Sequence, residues 1–126
     1  MSGATYDSGA LSAAERDDRR MWALHRRTLE RGVVPTVPAG VLGQAWRGGP
    51  QPQLSRLLAG CLVEELSGPR ATQAGTLLGA AGSSDVIDAS VVVGALERGD
   101  VVFSSDRRDL EMLTVSARRR PQIVDV

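Results

Sequence analysis

The apolar residues of this chain follow two rhythms that alternate from end to end: short continuous runs, and stretches recurring at helical spacing. The short runs fall at residues 3–7, 33–37, 61–66, 101–103 and 122–125, and each reads as a strand. The first is the weakest, because Ser2, Gly3, Ala4 and Thr5 carry little apolar bulk. Val101, Val102 and Phe103 form the clearest. Pro35 lies inside the second run, which points to an edge or irregular position, since proline has no N–H for a sheet ladder.

Helical spacing fills the gaps between these runs. Ser8 and Gly9 turn the chain into a short helix over 10–15. Met21, Leu24, His25, Thr28 and Leu29 mark a second helix, with Asp17 and Asp18 at its positive end and Arg31-Gly32 as its stop. Pro38 suits the first turn of a helix reaching Trp46, which Gly48-Gly49-Pro50 ends. Leu54, Leu57 and Leu58 share a face of a further short helix, stopped by Gly60. Ser67-Gly68-Pro69 opens a helix that Gly82 closes. Residues 83–98 carry a β-branched run that would suit a buried strand. Their length, serine/aspartate start and Gly99 stop favour a largely buried helix. A last helix spans 106–117, with Leu110 and Leu113 inward, and Pro121 separates it from the final strand. This alternation predicts an α/β domain with a mostly parallel sheet covered on both faces.

A chain of 126 residues fits one compact domain. There is no repeat, linker or low-complexity tract. No stretch is apolar for long enough to span a bilayer, and the N-terminus lacks a secretory pattern, so the expected location is the cytoplasm. All fifteen basic residues are arginine. Without lysine there is no Walker-type phosphate loop, Schiff-base chemistry or lysine general base. The same absence argues against receiver domains and haloacid-dehalogenase-like phosphatases, which place a lysine near the phosphoryl group. Fifteen acidic residues bring the formal net charge to zero, so any nucleic-acid contact must come from local clusters such as Arg26-Arg27, Arg107-Arg108 and Arg118-Arg119-Arg120. The single Cys61 excludes an internal disulfide and a multi-cysteine zinc site, and reads as a small buried apolar residue. His25, the one histidine, reads as structural or surface; Trp22 and Trp46 read as core or interface residues.

The candidate chemistry lies in the aspartates. Asp7 stands where the first strand runs out, and in open α/β sheets sites form beyond the carboxyl ends of the strands. Asp85 and Asp88 are three apart in the first turn of a predicted helix and share a face. Asp106 follows the strand 101–103 directly, with Asp109 in the helix after it. Each has an ordinary alternative as a helix cap, and for Asp85 and Asp109 that alternative is the stronger. Taken together, Asp7, Asp88 and Asp106 fall along one predicted sheet edge. Carboxylates gathered there without a lysine or histidine partner repel one another, and a hard divalent cation is the usual remedy. Ser8, Ser104 and Ser105 stand beside them as candidate orienters or caps.

With these residues in place, the chain resembles PIN-domain proteins, in particular the toxin ribonucleases of bacterial VapBC-type toxin–antitoxin pairs. The resemblance rests on Tyr6-Asp7-Ser8-Gly9-Ala10-Leu11, on residues 37–49 with Gln44-Ala45-Trp46-Arg47, on Ser84-Asp85-Val86-Ile87-Asp88-Ala89, and on residues 101–110 with Ser104-Ser105-Asp106-Arg107-Arg108-Asp109. It covers nearly the whole chain; its order and spacing are more specific than any one motif. It implies a PIN-like three-layer sandwich and a Mg²⁺- or Mn²⁺-dependent endoribonuclease. Asp7, Asp88 and Asp106 match the family's first, third and fourth acidic positions. Asp85 and Asp109 become additional metal candidates, with Ser8, Ser105 and Gln44 as supporting residues. Gln44 stands where many members have glutamate, which keeps an oxygen acceptor but removes a negative charge. Arg47, Arg107 and Arg108 are the expected RNA-phosphate contacts. A cognate antitoxin and a homodimer are the implied partners. A second expectation is a catalytically weakened PIN-like module that binds RNA or protein. A third is a plain α/β domain whose aspartates only cap helices.

Overall fold

The computed structural model describes residues 3–115 and 117–126. Five parallel strands form one sheet in the order β3-β2-β1-β4-β5. They are β1 Ala4–Tyr6, β2 Thr36–Pro38, β3 Leu62–Glu64, β4 Val101–Ser104 and β5 Gln122–Asp125. The helices are α1 Ser8–Glu15, α2 Arg19–Glu30, α3 Ala39–Ala45, α4 Pro52–Leu58, α5 Gly68–Ala81, α6 Val86–Arg98 and α7 Arg107–Leu113. Helix α1 packs against α2, α3 and α4, while α5, α6 and α7 pack on one another and α6 lies along β1, β2 and β4. The sheet thus runs between two helical groups, as the alternating pattern predicts. No single helix among the described residues is long and apolar enough to cross a membrane.

Strand β1 holds the middle of the sheet despite its small residues. Ala4, Thr5 and Tyr6 are all buried and pair with β4 in register Ala4↔Val101, Thr5↔Val102 and Tyr6↔Phe103. The edge position expected for the proline-bearing strand is overturned. Strand β2 lies between β1 and β3. The reason is local: Pro35 sits just outside the strand, where no ladder N–H is asked of it, and its carbonyl accepts Leu62 N at 2.8 Å. The true edges are β3 and β5.

Helix ends follow their capping residues. Asp7 caps α1, so that helix starts at Ser8 rather than Ala10. Asp18 caps α2, accepting from Met21 N. Ser67 caps α5. The run at 83–98 is a helix from Val86, with Asp85 as its cap and Gly99 in the left-handed conformation at its end. Helix α7 ends at Leu113, short of the predicted extent. Trp46 is 41% exposed rather than a core residue, and Cys61 is only half-buried, its Sγ directed at Leu57 O (3.3 Å). Trp22 does pack on the core, donates Nε1–H to Ala14 O at 3.0 Å and lies under the Arg56 guanidinium at 4.1 Å.

A polar knot ties these layers below the site. Arg98 at the end of α6 donates to Asp100 Oδ2 at 2.8 Å, Glu64 Oε2 at 2.7 Å and Thr5 Oγ1 at 2.9 Å. Thr5 in turn donates to Asp100 Oδ2 at 2.7 Å. Asp100 is buried, so its charge needs this arginine.

One close approach sets the site's geometry. A Cβ on Gly9 would sit 2.0 Å from Ser105 Oγ and 2.8 Å from the Ser105 backbone nitrogen. The first turn of α1 and the β4–α7 loop therefore meet where no side chain fits. Gly9→Ala is expected to destabilise the fold by about 1–3 kcal/mol through overpacking. Gly75→Ala is the control. Gly75 is exposed inside α5 with nothing near its Cβ position, and alanine there should add roughly 0.5–1 kcal/mol. Urea denaturation of both variants distinguishes the two outcomes.

Candidate metal centre

Parallel strands β1 and β4 deliver their carboxyl ends side by side, and the acidic residues follow them. Asp7 leaves β1 with its backbone N–H donating to Phe103 O on β4 at 3.0 Å. Its Oδ1 accepts Ser8 N at 2.7 Å and its Oδ2 accepts the Ser104 hydroxyl at 2.8 Å. The side chain is buried and fully oriented by these two donors. Ser104 also accepts the Asp106 N–H at 2.9 Å, so one hydroxyl sets the spacing between the two aspartates. Asp106 occupies the cap position of α7 but its carboxylate makes no capping bond; the residue is exposed and its carboxylate forms no hydrogen bond among the described residues.

Helix α6 brings in the second pair. Asp85 spends Oδ1 on the N–H groups of Ile87 and Asp88, at 3.1 and 3.0 Å. Asp88, one turn into the helix, caps nothing and is half-buried. Asp109 rises from the first turn of α7, exposed, and shares a groove with Asp85, Asp88, Gly82, Ser83 and Met112.

The electrostatics show that these groups feel one another. Burial, reinforced by Asp85, Asp7, Asp106 and Asp109, pushes the Asp88 carboxyl up to about 7. The charges acting on it are all negative. Burial also raises Asp7, opposed by the hydrogen bonds from Ser104 and Ser8 N and reinforced by Asp106 and Asp85. Among the described residues no three His, Cys, Asp or Glu side chains already stand in coordinating geometry. What the fold builds is a crowd of carboxylates in electrostatic reach, with Asp7 and Asp88 raised by burial first and by their negative neighbours second.

The donor set suits a hard divalent ion, which takes oxygen ligands. Gln44 is expected to add a neutral one. Gly40 packs against Ile87, its Cβ position 3.0 Å from Ile87 Cγ1, and Gln44 lies four residues on, on the same face of α3. Its Oε1 is buried and accepts no hydrogen bond among the described residues.

Several expected supporting residues sit elsewhere. Ser8 contributes its backbone N–H to Asp7. Ser105 Oγ lies against Gly9. The orienting hydroxyl is that of Ser104; its place at the buried end of β4, facing β1, was visible in sequence only as one of two adjacent serines. Arg47 turns back to donate to Trp46 O at 2.9 Å and Gly43 O at 3.3 Å, closing the end of α3. Arg107 binds Asp125 Oδ1 at 2.9 Å, Glu111 Oε1 at 3.1 Å and Ile123 O at 2.7 Å, sealing the edge strand β5. Both are held by their own fold. Arg108 is exposed and forms no ion pair among the described residues. His25 is buried, bonds Tyr6 Oη through Nδ1 at 2.7 Å, and belongs to the core.

No protein-family model and no curated protein matches the sequence. Solved structures do. A chain of VapBC2 from Rickettsia felis, bound to a DNA fragment from their promoter, superposes with a TM-score of 0.68 at 9% identity, over 98% of both chains. PAE2754 from Pyrobaculum aerophilum superposes with a TM-score of 0.63 at 19% identity, over 99% of this chain and 91% of the other. At such identities the likeness is one of fold, and the fold is PIN-like.

A group whose folded pKa is raised adds stability below its ordinary range and loses it as pH climbs through the raised value. Asp88 and Asp7 both carry this sign. In chelator, the melting temperature should therefore fall from about pH 5 to about pH 8, and Asp88→Asn should flatten that fall. Thermal scans across this range that show no slope, or the same slope in the variant, contradict the electrostatic account.

Proposed function

We propose that this chain is a metal-dependent endoribonuclease, the toxin of a bacterial toxin–antitoxin pair. The observation that carries the reading is electrostatic: Asp7 and Asp106, remote in sequence from Asp88, both raise its carboxyl, and Asp7 and Asp106 follow adjacent strands of a PIN-like sheet. In this reading the three aspartates hold Mg²⁺ or Mn²⁺. Asp85, with one oxygen left after capping, and Asp109 supply further charge. Gln44 offers its amide oxygen in place of a glutamate. When bound, the cation polarises the phosphodiester and lowers the pKa of water for attack in line. The protein's own contribution is placement. Ser104 and Ser8 N hold Asp7 rigid, and Asp106 keeps both oxygens free. Arg108 at the rim is the residue available to an RNA phosphate. The same reading assigns a cognate antitoxin, a homodimer and a cytoplasmic site of action.

Gln44 favours one alternative, a PIN-like module that binds RNA or a protein partner without cutting. One carboxylate fewer weakens the hold on a cation. Calorimetry with Mn²⁺ separates the two, since the enzyme must bind the ion at millimolar concentration and the module need not. Asp88→Asn is expected to keep the fold and to abolish Mn²⁺-stimulated cleavage of single-stranded RNA, a loss on the order of 100-fold or more. Gln44→Glu should tighten Mn²⁺ binding roughly tenfold, because it restores a charge to the set. Unchanged cleavage by Asp88→Asn would defeat the ribonuclease assignment; unchanged Mn²⁺ affinity in Gln44→Glu would remove Gln44 from the site.

A further inference from the structure

A second concave surface lies on one face of β4 and β5, beside α2. Val101 and Phe103 of β4 and Gln122 and Val124 of β5 alternate along their strands and so face one side of the sheet. Helix α2 covers that side only in part. The result is an open groove of about 400 Å³ walled by Leu24 and Thr28. Leu24, Val101 and Val124 are partly exposed within it. At the rim stand Arg27 and Arg31, four residues apart on the α2 side. Both are exposed, and neither guanidinium forms a hydrogen bond or ion pair among the described residues. Among the described residues no carboxylate lines the groove.

We propose that this groove docks an acidic peptide segment of a partner protein, one that carries aliphatic side chains between its carboxylates. The aliphatic floor takes the apolar side chains, which lose water there. The two guanidinium groups take the flanking carboxylates by charge-assisted hydrogen bonds. The Gln122 amide, exposed at the strand start, both donates and accepts and suits a peptide main chain. A nucleic acid fits the same cations but not the floor. Single-stranded RNA is held by stacking on exposed aromatic faces. Phe103, the one aromatic ring in the groove, is 5% exposed and tilted against Tyr6 at 5.3 Å. The proposal does not depend on the nuclease reading, since it uses neither the carboxylates nor their ion.

The test uses the whole chain and a fluorescein-labelled peptide of about ten residues alternating glutamate with leucine, a length that spans such a groove in extended form. Fluorescence anisotropy should show saturable binding. Arg27→Glu/Arg31→Glu, on an exposed helix face, should weaken it at least about tenfold. Replacing leucine by serine in the peptide should weaken it similarly. On the unsubstituted chain, amide NMR shifts should centre on Leu24, Val101 and Val124. Three results overturn the proposal: no saturable binding, binding unaffected by the double substitution, or an oligouridylate that competes as well as the peptide. Shifts centred on Trp22 and Arg56 across α2 overturn it as well.

Discussion

Like-charge crowding at the carboxyl edge of the sheet is the constraint on which the site depends. Asp7 is buried at the tip of the central strand, where a lone carboxylate is expensive to hold. It is tolerated because the hydroxyl of Ser104 and the N–H of Ser8 solvate it from within the protein. That solvation fixes the direction of its oxygens but does not offset Asp85 and Asp106. The structure therefore keeps a charge imbalance in place rather than relieving it, and that favours a cationic ligand.

Holding such an imbalance needs stiffness behind it. Helix α6 supplies part, since its buried face of Ala89, Val92 and Ala95 packs tightly on the central strands. The Arg98–Asp100–Thr5 knot anchors the far end of the same helix to β1 and to the start of β4. The backbone position of Asp88 is therefore set by a helix anchored at its far end. Gly9 completes the frame, because only a bare α-carbon lets the β4–α7 loop close over α1. Asp7 and Asp88 are thus carried by buried elements, while Asp85, Asp106 and Asp109 are exposed.

The expected RNA-binding arginines illustrate how one charge can serve two purposes. Arg107 follows Asp106 directly, yet it seals the β5 edge against Asp125, Glu111 and Ile123 O. An open parallel edge invites pairing with another chain, and a charged cover discourages it. Arg108, the next residue, points to solvent and keeps its charge free. Adjacent residues on one helix turn thus divide between edge protection and availability.

The element order, the parallel sheet and the aspartate set were readable from the chain itself, because they depend on local rules: apolar periodicity, glycine stops at Gly82 and Gly99, and acidic residues at strand ends. The same rules left each aspartate ambiguous between cap and ligand. Tertiary contact decided that ambiguity differently at each position, since Asp85 caps, Asp7 both caps and faces the cluster, and Asp88 and Asp106 cap nothing. It also moved β2 inside the sheet, chose Ser104 over Ser105, and tied up Arg47 and Arg107. Several of these outcomes depend on partners distant in the chain, as Asp7 meets Ser104 97 residues away and Arg107 meets Asp125 18 residues on. Periodicity within a short window carries no record of such meetings; only the closed packing of strand against strand creates them.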